Sequence, residues 1–332
     1  MTMFRVAALC VGVLHLVTVA VPAAAQSYTV VDLGASSSAT AINGNGTITG
    51  SSGSHAFVYS GGTMTDLGTL GGTASEGEGI NTAGAVAGYS TLTDRTYRAI
   101  LYSNGRMVSL GTLGANYSVA YALNDAGQVV GSSITANNLS HAFLYSAGKM
   151  IDLGTLGGNQ PGWSTTAASI NSLGHVVGYS YLASGDFHGF LYANHEMHDL
   201  GTLGGSWSQA FAINDSEQIT GQAYLPGNAK AHAFLYSGDS MTDLGALNQY
   251  SSGLAINGSG VVVGNADVRN KTGLLVYHAV VYRNLAPVDL NRLIPPRTGW
   301  VLSTATSVND AGEIVGYGEL RGVQHAFLLT PR

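Results

Sequence analysis

Ala122 to Gly158 reads ALNDAGQVVGSSITANNLSHAFLYSAGKMIDLGTLGG, and versions of this stretch recur to the end of the chain. A Leu-Asn or Ile-Asn step closes a run of small residues, and a glycine three positions later, here Gly127, opens an apolar run from Gln128 to Gly131. A variable polar loop follows, then His-Ala-Phe-Leu-Tyr, a short turn and Met-x-Asp-Leu-Gly. Each unit therefore holds four short β-rich segments bounded by Gly, Asn, Asp and Ser. The Asn landmarks are Asn43, Asn81, Asn124, Asn171, Asn214, Asn257 and Asn309, spaced by 38 to 52 residues. A period of that size with four strands per repeat predicts the blade of a β-propeller.

The order of segments predicts how the ring closes. With the four segments lettered a (ending in Asn), b (after the turn glycine), c (His-Ala-Phe) and d (Asp-Leu-Gly), the repeats open with a lone d, Tyr28 to Gly34. They close with a, b and c, ending at Gln324 to Leu329, and six complete sets lie between. The opening d supplies what the last unit lacks. The expectation is an all-β, seven-bladed propeller of four-stranded antiparallel blades, closed by the N-terminal strand; an open solenoid or another blade count is the alternative. Closure removes the end faces that an open solenoid has to cap.

Local composition agrees. The a segments, such as Ser208 to Ile213 and Ser303 to Val308, are rich in Ser, Ala, Thr and Gly, as suits strands crowded around a channel. The c segments are bulkier and alternate His, Phe and Tyr with Ala and Leu, so both faces can pack against neighbouring blades. Asn-x-x-Gly suits a hairpin with Asn opening a type I turn and Gly at positive φ. Glu217 replaces that glycine in one unit, where a strained or altered turn is expected.

Met1 to Ala25 predicts a secretory signal peptide: Arg5 in the n-region, Val6 to Val21 as the apolar run, and Ala23-Ala24-Ala25 before Gln26 as the cleavage site. The apolar run is short for a membrane anchor. Residues 26–332 then form one propeller domain, secreted to the periplasm or the exterior. The single cysteine, Cys10, falls in the leader, so the mature chain must be held by packing without disulfides. Arg5 is the leader's one charged side chain, so its removal moves the net charge from −6 to −7. With 10% charged residues, 46 glycines and no basic stripe, the composition fits an exported β protein and not a nucleic-acid binder. No second apolar stretch suggests insertion of the mature chain into a membrane, and a monomer is expected.

His55-Ala56-Phe57, His141-Ala142-Phe143, His232-Ala233-Phe234 and His325-Ala326-Phe327, with the Asp-Leu-Gly-Thr-Leu-Gly-Gly runs that start at Asp66, Asp152 and Asp199, resemble the HAF repeats of probable extracellular bacterial proteins. The resemblance spans the mature chain. It implies export and brings no activity or catalytic residues with it. Arg98-Ala99-Ile100, His188-Gly189-Phe190 and His278-Ala279-Val280 depart from the pattern.

Six units carry His at the head of c (His55, His141, His188, His232, His278, His325), and six carry Asp at the end of d (Asp32, Asp66, Asp152, Asp199, Asp243, Asp289). The exceptions coincide: Arg98 replaces His and Ser109 replaces Asp in one blade, which suggests that the two positions interact. On an antiparallel c-d hairpin they lie diagonally on one face. A copy in each blade reads as a structural network, whereas catalysis needs an asymmetric constellation. His195-Glu196-Met197-His198 lacks the helical spacing of a zinc site, and the Asn-Asp turns lack the carboxylates of a calcium loop, so no metal or cofactor is expected. No serine sits in a strand-to-helix elbow, and no Gly-Gly pair follows a βαβ pattern.

Large aromatics do break the symmetry. Trp163, Trp207 and Trp300 fall in d-to-a connections, with Tyr117 and Tyr250 in comparable places. The b-to-c connections share that face and add Tyr97, Tyr181, Phe187, Tyr224 and Tyr277. Rings interspersed with Asn116, Asn159, Gln160, Asn248 and Gln249 suit a glycan or peptide ligand. Plugging the seams between blades is the competing reading. The expected function is a recognition or adhesion module with no catalytic residues; an exported polysaccharide lyase or hydrolase and a passive surface or matrix scaffold are the alternatives.

Overall fold

The computed structural model describes residues 27–332; the segment read as a signal peptide lies outside them. Seven four-stranded antiparallel sheets form a seven-bladed β-propeller. The a strands are Ser37–Ile42, Ser75–Ile80, Gly114–Leu123, Thr165–Ile170, Ser208–Ile213, Ser251–Ile256 and Trp300–Val308, and they number the blades 1 to 7. Each a strand neighbours the a strand of the next blade, and blade 7 returns to blade 1, so these strands line the centre. The d strands lie outermost.

Blade 7 is closed by the strand Tyr28–Ala35, which pairs antiparallel with Val323–Pro331. The two ends of the ring are tied by Arg332 N–H to the Ser27 carbonyl at 2.9 Å and Tyr28 N–H to the Leu293 carbonyl at 2.8 Å. The d strand left over at the start of the repeats completes the last sheet.

A bulge organises each inner hairpin. The register slips by one residue at Thr40, Glu78, Tyr121, Ala168, Phe211, Leu254 and Thr306 of the a strands. Just before the slip, the a strand faces a b-strand glycine: Gly50, Gly88, Gly131, Gly178, Gly221, Gly264 or Gly316. A Cβ at Gly131 would overlap the Val119 carbonyl oxygen, and the other six glycines meet an a-strand carbonyl in the same way. These positions therefore take glycine because the backbones approach closely, and bulges commonly re-aim the side chain they carry.

The core lies in the seams. Phe57, Phe143, Phe190, Phe234 and Phe327 of the c strands are fully buried, and Ile100 and Val280 take their place in blades 2 and 6. A serine in the a strand, its first residue in all of these but blade 3, pins blades 1, 2, 3, 5 and 6 to the blade before. Ser75 Oγ donates to the Gly68 carbonyl at 2.6 Å and accepts the Ala56 N–H at 2.9 Å, and Ser37, Ser118, Ser208 and Ser251 repeat the arrangement.

The Asn turns behave alike even where the sequence departs. Glu217 adopts φ +58° and donates its N–H to the Asn214 carbonyl at 3.1 Å, as the glycines do in their turns. The turn keeps its shape, and the cost falls on one left-handed residue. The Glu217 carboxylate lies 2.9 Å from His175 Nδ1 of blade 4.

Candidate functional site

Each strand c begins, and each strand d ends, on the face that also carries the d-to-a connections, so the recurrent His and Asp gather at its outer rim. His55, His141, His188, His232 and His278 place Nδ1 between 2.8 and 2.9 Å from Asp66, Asp152, Asp199, Asp243 and Asp289. His325 reaches Asp32 at 2.7 Å across the ring closure. Each aspartate also accepts the backbone N–H two residues on, as Asp152 does from Gly154 at 2.8 Å. Gly68 N–H and His55 hold the Asp66 carboxyl below its usual range. Burial alone would raise Asp199, but the bonds from His188 and Gly201 outweigh it and lower its pKa. The pairs sit at the open ends of the c-d hairpins and, apart from the buried Asp289, are partly exposed: the His141 and Asp152 side chains are 15% and 42% exposed. In blade 2, Arg98 turns instead to the carbonyls of Tyr97 and Asn116, the latter on the a strand of blade 3, so it crosses the seam.

The aromatics of this face form two groups. Trp163 stacks on Tyr181 with ring centroids 4.8 Å apart and planes at 20°. Tyr181 meets Phe187 edge-on at 4.6 Å, Phe187 stacks on Trp207 at 6.2 Å, and Trp207 contacts Tyr224 at 5.3 Å. These five half-buried rings make a continuous arc over blades 4 and 5. Tyr179 leads from Phe187 inward to Phe211 on the inner strand, at 5.1 and 6.4 Å. A smaller group, Tyr89, Tyr97 and Tyr117, covers blades 2 and 3. Trp300 stands apart: it packs edge-on to His325 and Phe327 and against the core between blades 6 and 7. Tyr250 turns its hydroxyl to the Ala229 carbonyl at 3.2 Å.

The inner strands carry one asymmetric polar cluster that the repeat pattern concealed. Glu76 and Glu78 both lie on the a strand of blade 2, Glu78 at the bulge. Glu76 accepts the Tyr89 hydroxyl at 2.6 Å and the Ser51 hydroxyl of blade 1 at 3.2 Å. Burial, and then the charge of Glu76, push the Glu78 pKa up to about 8. Burial also raises Tyr89, aided by its bond to Glu76, and raises Tyr121, which lies in the field of Tyr179, Tyr117 and Glu78. Alignment of the repeats could have flagged the pair, since the position of Glu78 is Thr, Tyr, Ala, Phe or Leu in the other blades.

At the opposite mouth of the channel the seven Asn landmarks form a ring. Each donates Nδ2 to the backbone carbonyl of the next: Asn43 to Asn81 at 2.9 Å, Asn81 to Asn124 at 3.4 Å, Asn124 to Asn171 at 3.1 Å, Asn171 to Asn214 at 3.4 Å. Asn214 to Asn257 and Asn257 to Asn309 follow at 3.0 Å, and Asn309 to Asn43 closes the circle at 3.2 Å. Their side-chain oxygens meanwhile accept N–H groups of their own turns, as Asn43 does from Thr47 and Asn45.

His195 and Asn194 form the tight c-d turn of blade 4, both at positive φ. No cluster of three or more His, Cys, Asp or Glu that could hold a metal occurs among the described residues. No helix among them is long and apolar enough to cross a membrane.

No protein-family model matches the chain, and no curated relative does. Solved structures match at low identity. TolB from Acinetobacter baumannii is 11% identical over 75% of this chain, with a TM-score of 0.45; the match spans 63% of TolB's length. A gluconolactonase from Xanthomonas campestris is 10% identical over 93% of this chain and 92% of its own, with a TM-score of 0.46. An arginine-to-alanine triple mutant of AofleA from Arthrobotrys oligospora is 11% identical over 79% of this chain and 88% of its own, at 0.40. These are likenesses of chain path, and the chemistry of each belongs to that protein.

Proposed function

We propose that this propeller is an exported recognition module that binds glycan through the aromatic arc of blades 4 and 5. The carrying observation is the continuity of Trp163, Tyr181, Phe187, Trp207 and Tyr224, five rings that hold one another in place on a loop face. Pyranose rings present an apolar face that stacks on such surfaces, and mutually packed rings lose little rotamer freedom when a ligand lands on them. Asn159 and Gln160, exposed beside Trp163, supply amides for sugar hydroxyls. Titration of residues 26–332 with oligosaccharides, followed by tryptophan emission, tests this. Saturable binding weakened at least tenfold by Trp163→Ala or Trp207→Ala, with the β-sheet spectrum intact, is the expected result. Undiminished affinity in both variants removes the arc from the site, and binding of peptides alone replaces glycan as the ligand.

A second reading rests on Glu76 and Glu78. Two neighbouring carboxylates, one of which, Glu78, is pushed up by burial and by the charge of the other, can serve as acid and base, the chemistry of a polysaccharide lyase or hydrolase. Release of reducing ends or unsaturated products from a polysaccharide panel, abolished by both Glu76→Gln and Glu78→Gln, would establish it. A silent panel leaves recognition alone.

A further inference from the structure

Two blades round the same face from the aromatic arc, a cleft opens at the seam of blades 6 and 7, with a volume of about 590 Å³. That is within the range of about 300–1,000 Å³ common for small-ligand sites. Blade 6 shapes one wall because its middle strands, Val262–Arg269 and Leu275–Arg283, run long and carry their connecting loop outward. The other wall comes from the inner two strands of blade 7.

Three of the side chains that converge here, Tyr277, Tyr317 and Glu319, are not packed ring against ring as the arc residues are. The Tyr277 side chain presents its ring to solvent, the residue being 51% exposed. Neither the Glu319 carboxylate nor the Tyr317 hydroxyl has a hydrogen bond or ion pair among the described residues. Ser303 and Thr304 add hydroxyls, and Asn265 reaches Thr304 at 3.4 Å. His278 also lines the cleft, but its Nδ1 is held by Asp289 at 2.9 Å. Among the described residues no Lys or Arg lines it. A single carboxylate beside tyrosine rings, with no Lys or Arg among the lining residues, favours a protonated amine through charge and cation–π attraction. Several hydroxyl-binding groups and an open ring favour a pyranose over the aliphatic stem of a lysine, which would leave those groups unused.

We infer that the cleft between blades 6 and 7 is a second binding site, selective for an amino sugar with a free amine, Glu319 holding the ammonium and Tyr277 stacking on the ring. The site is independent of the aromatic arc. Calorimetric titration of residues 26–332 at about pH 6, below the range in which amines lose their proton, compares a fully deacetylated glucosamine tetramer, its N-acetylated counterpart and tetralysine. The expected result is binding of the deacetylated tetramer at least tenfold tighter than of the other two. Glu319→Gln and Tyr277→Ala, both at exposed positions, should each weaken it at least tenfold. Equal affinity for the two tetramers, or indifference to Glu319→Gln, overturns the assignment. Tetralysine binding as tightly with the same dependence on Glu319 replaces the sugar by a peptide. Loss of binding on Trp163→Ala would place the ligand on the arc instead.

Discussion

Asn309 donates its side-chain amide to the backbone carbonyl of Asn43 at 3.2 Å, although 266 positions separate them. This bond closes a circle of seven such links, so each asparagine serves two structures at once. Its oxygen shapes its own hairpin turn, and its nitrogen ties that turn to the next blade. Seven copies of a local turn signal become one ring only when the chain returns on itself.

Replacing one member of this ring separates the two roles. Asn124→Asp keeps an oxygen for the Gln128 N–H, 3.1 Å away, but loses the donor to the Asn171 carbonyl. Because the side chain is buried, the change should cost about 1–3 kcal/mol in urea unfolding. Asn124→Ala, which loses both, should cost more. Equal losses would mean that the turn bond contributes nothing, and an Asn124→Asp variant as stable as wild type would mean that the link between blades does not.

The His–Asp pairs are half-exposed and should each be worth little. His188→Ala or Asp199→Ala is expected to cost about 0.5–1 kcal/mol, and the double variant less than the two together. Asp199 has a lowered folded pKa. Its contribution is therefore present above the unfolded value of 3.8 and is lost as the pH falls through and below that value. Chemical unfolding of wild type and Asp199→Asn from neutral pH down to about pH 3 should show the two curves converging.

Glu78 has the opposite sign. Its folded pKa is raised from 4.5 to about 8, so the native state holds a proton that the unfolded chain releases. Stability from this group is complete below pH 4.5, declines as the pH rises, and stops declining near pH 8. The upper bound of the change is about 5 kcal/mol, and water reaching the channel reduces it. Glu78→Gln should flatten the stability profile between those limits; an unchanged slope would show that Glu78 titrates normally.

Ring closure by the first strand predicts both damage and repair. Deleting residues 27–35 strips blade 7 of its outer strand and leaves His325 without Asp32. Cooperative unfolding should broaden or vanish. Because the Arg332 N–H already lies 2.9 Å from the Ser27 carbonyl, reattaching the deleted segment after Arg332 through a short turn should restore it. Failure of the permuted chain to fold would argue that the N-terminal strand has to be in place first.

Strand order, blade number and the mode of closure were determined by the sequence alone, because they follow from local signals with a fixed period. His-Ala-Phe, Asp-Leu-Gly and Asn-x-x-Gly each set a strand or turn within about ten residues, and counting them fixes the ring. The meeting of His and Asp was legible too, since Arg98 and Ser109 break the pattern together. What the tertiary structure decided are the relations across seams. The Asn ring and the serines that pin neighbouring blades join residues about twenty to nearly three hundred positions apart, and no local pattern encodes those distances. The same holds for function: Trp163 and Trp300 occupy similar places in the repeat, yet one lies on an aromatic arc and the other is packed into a seam. Whether a side chain meets solvent or a neighbouring blade depends on the shape of that neighbour, which exists only once the ring has closed.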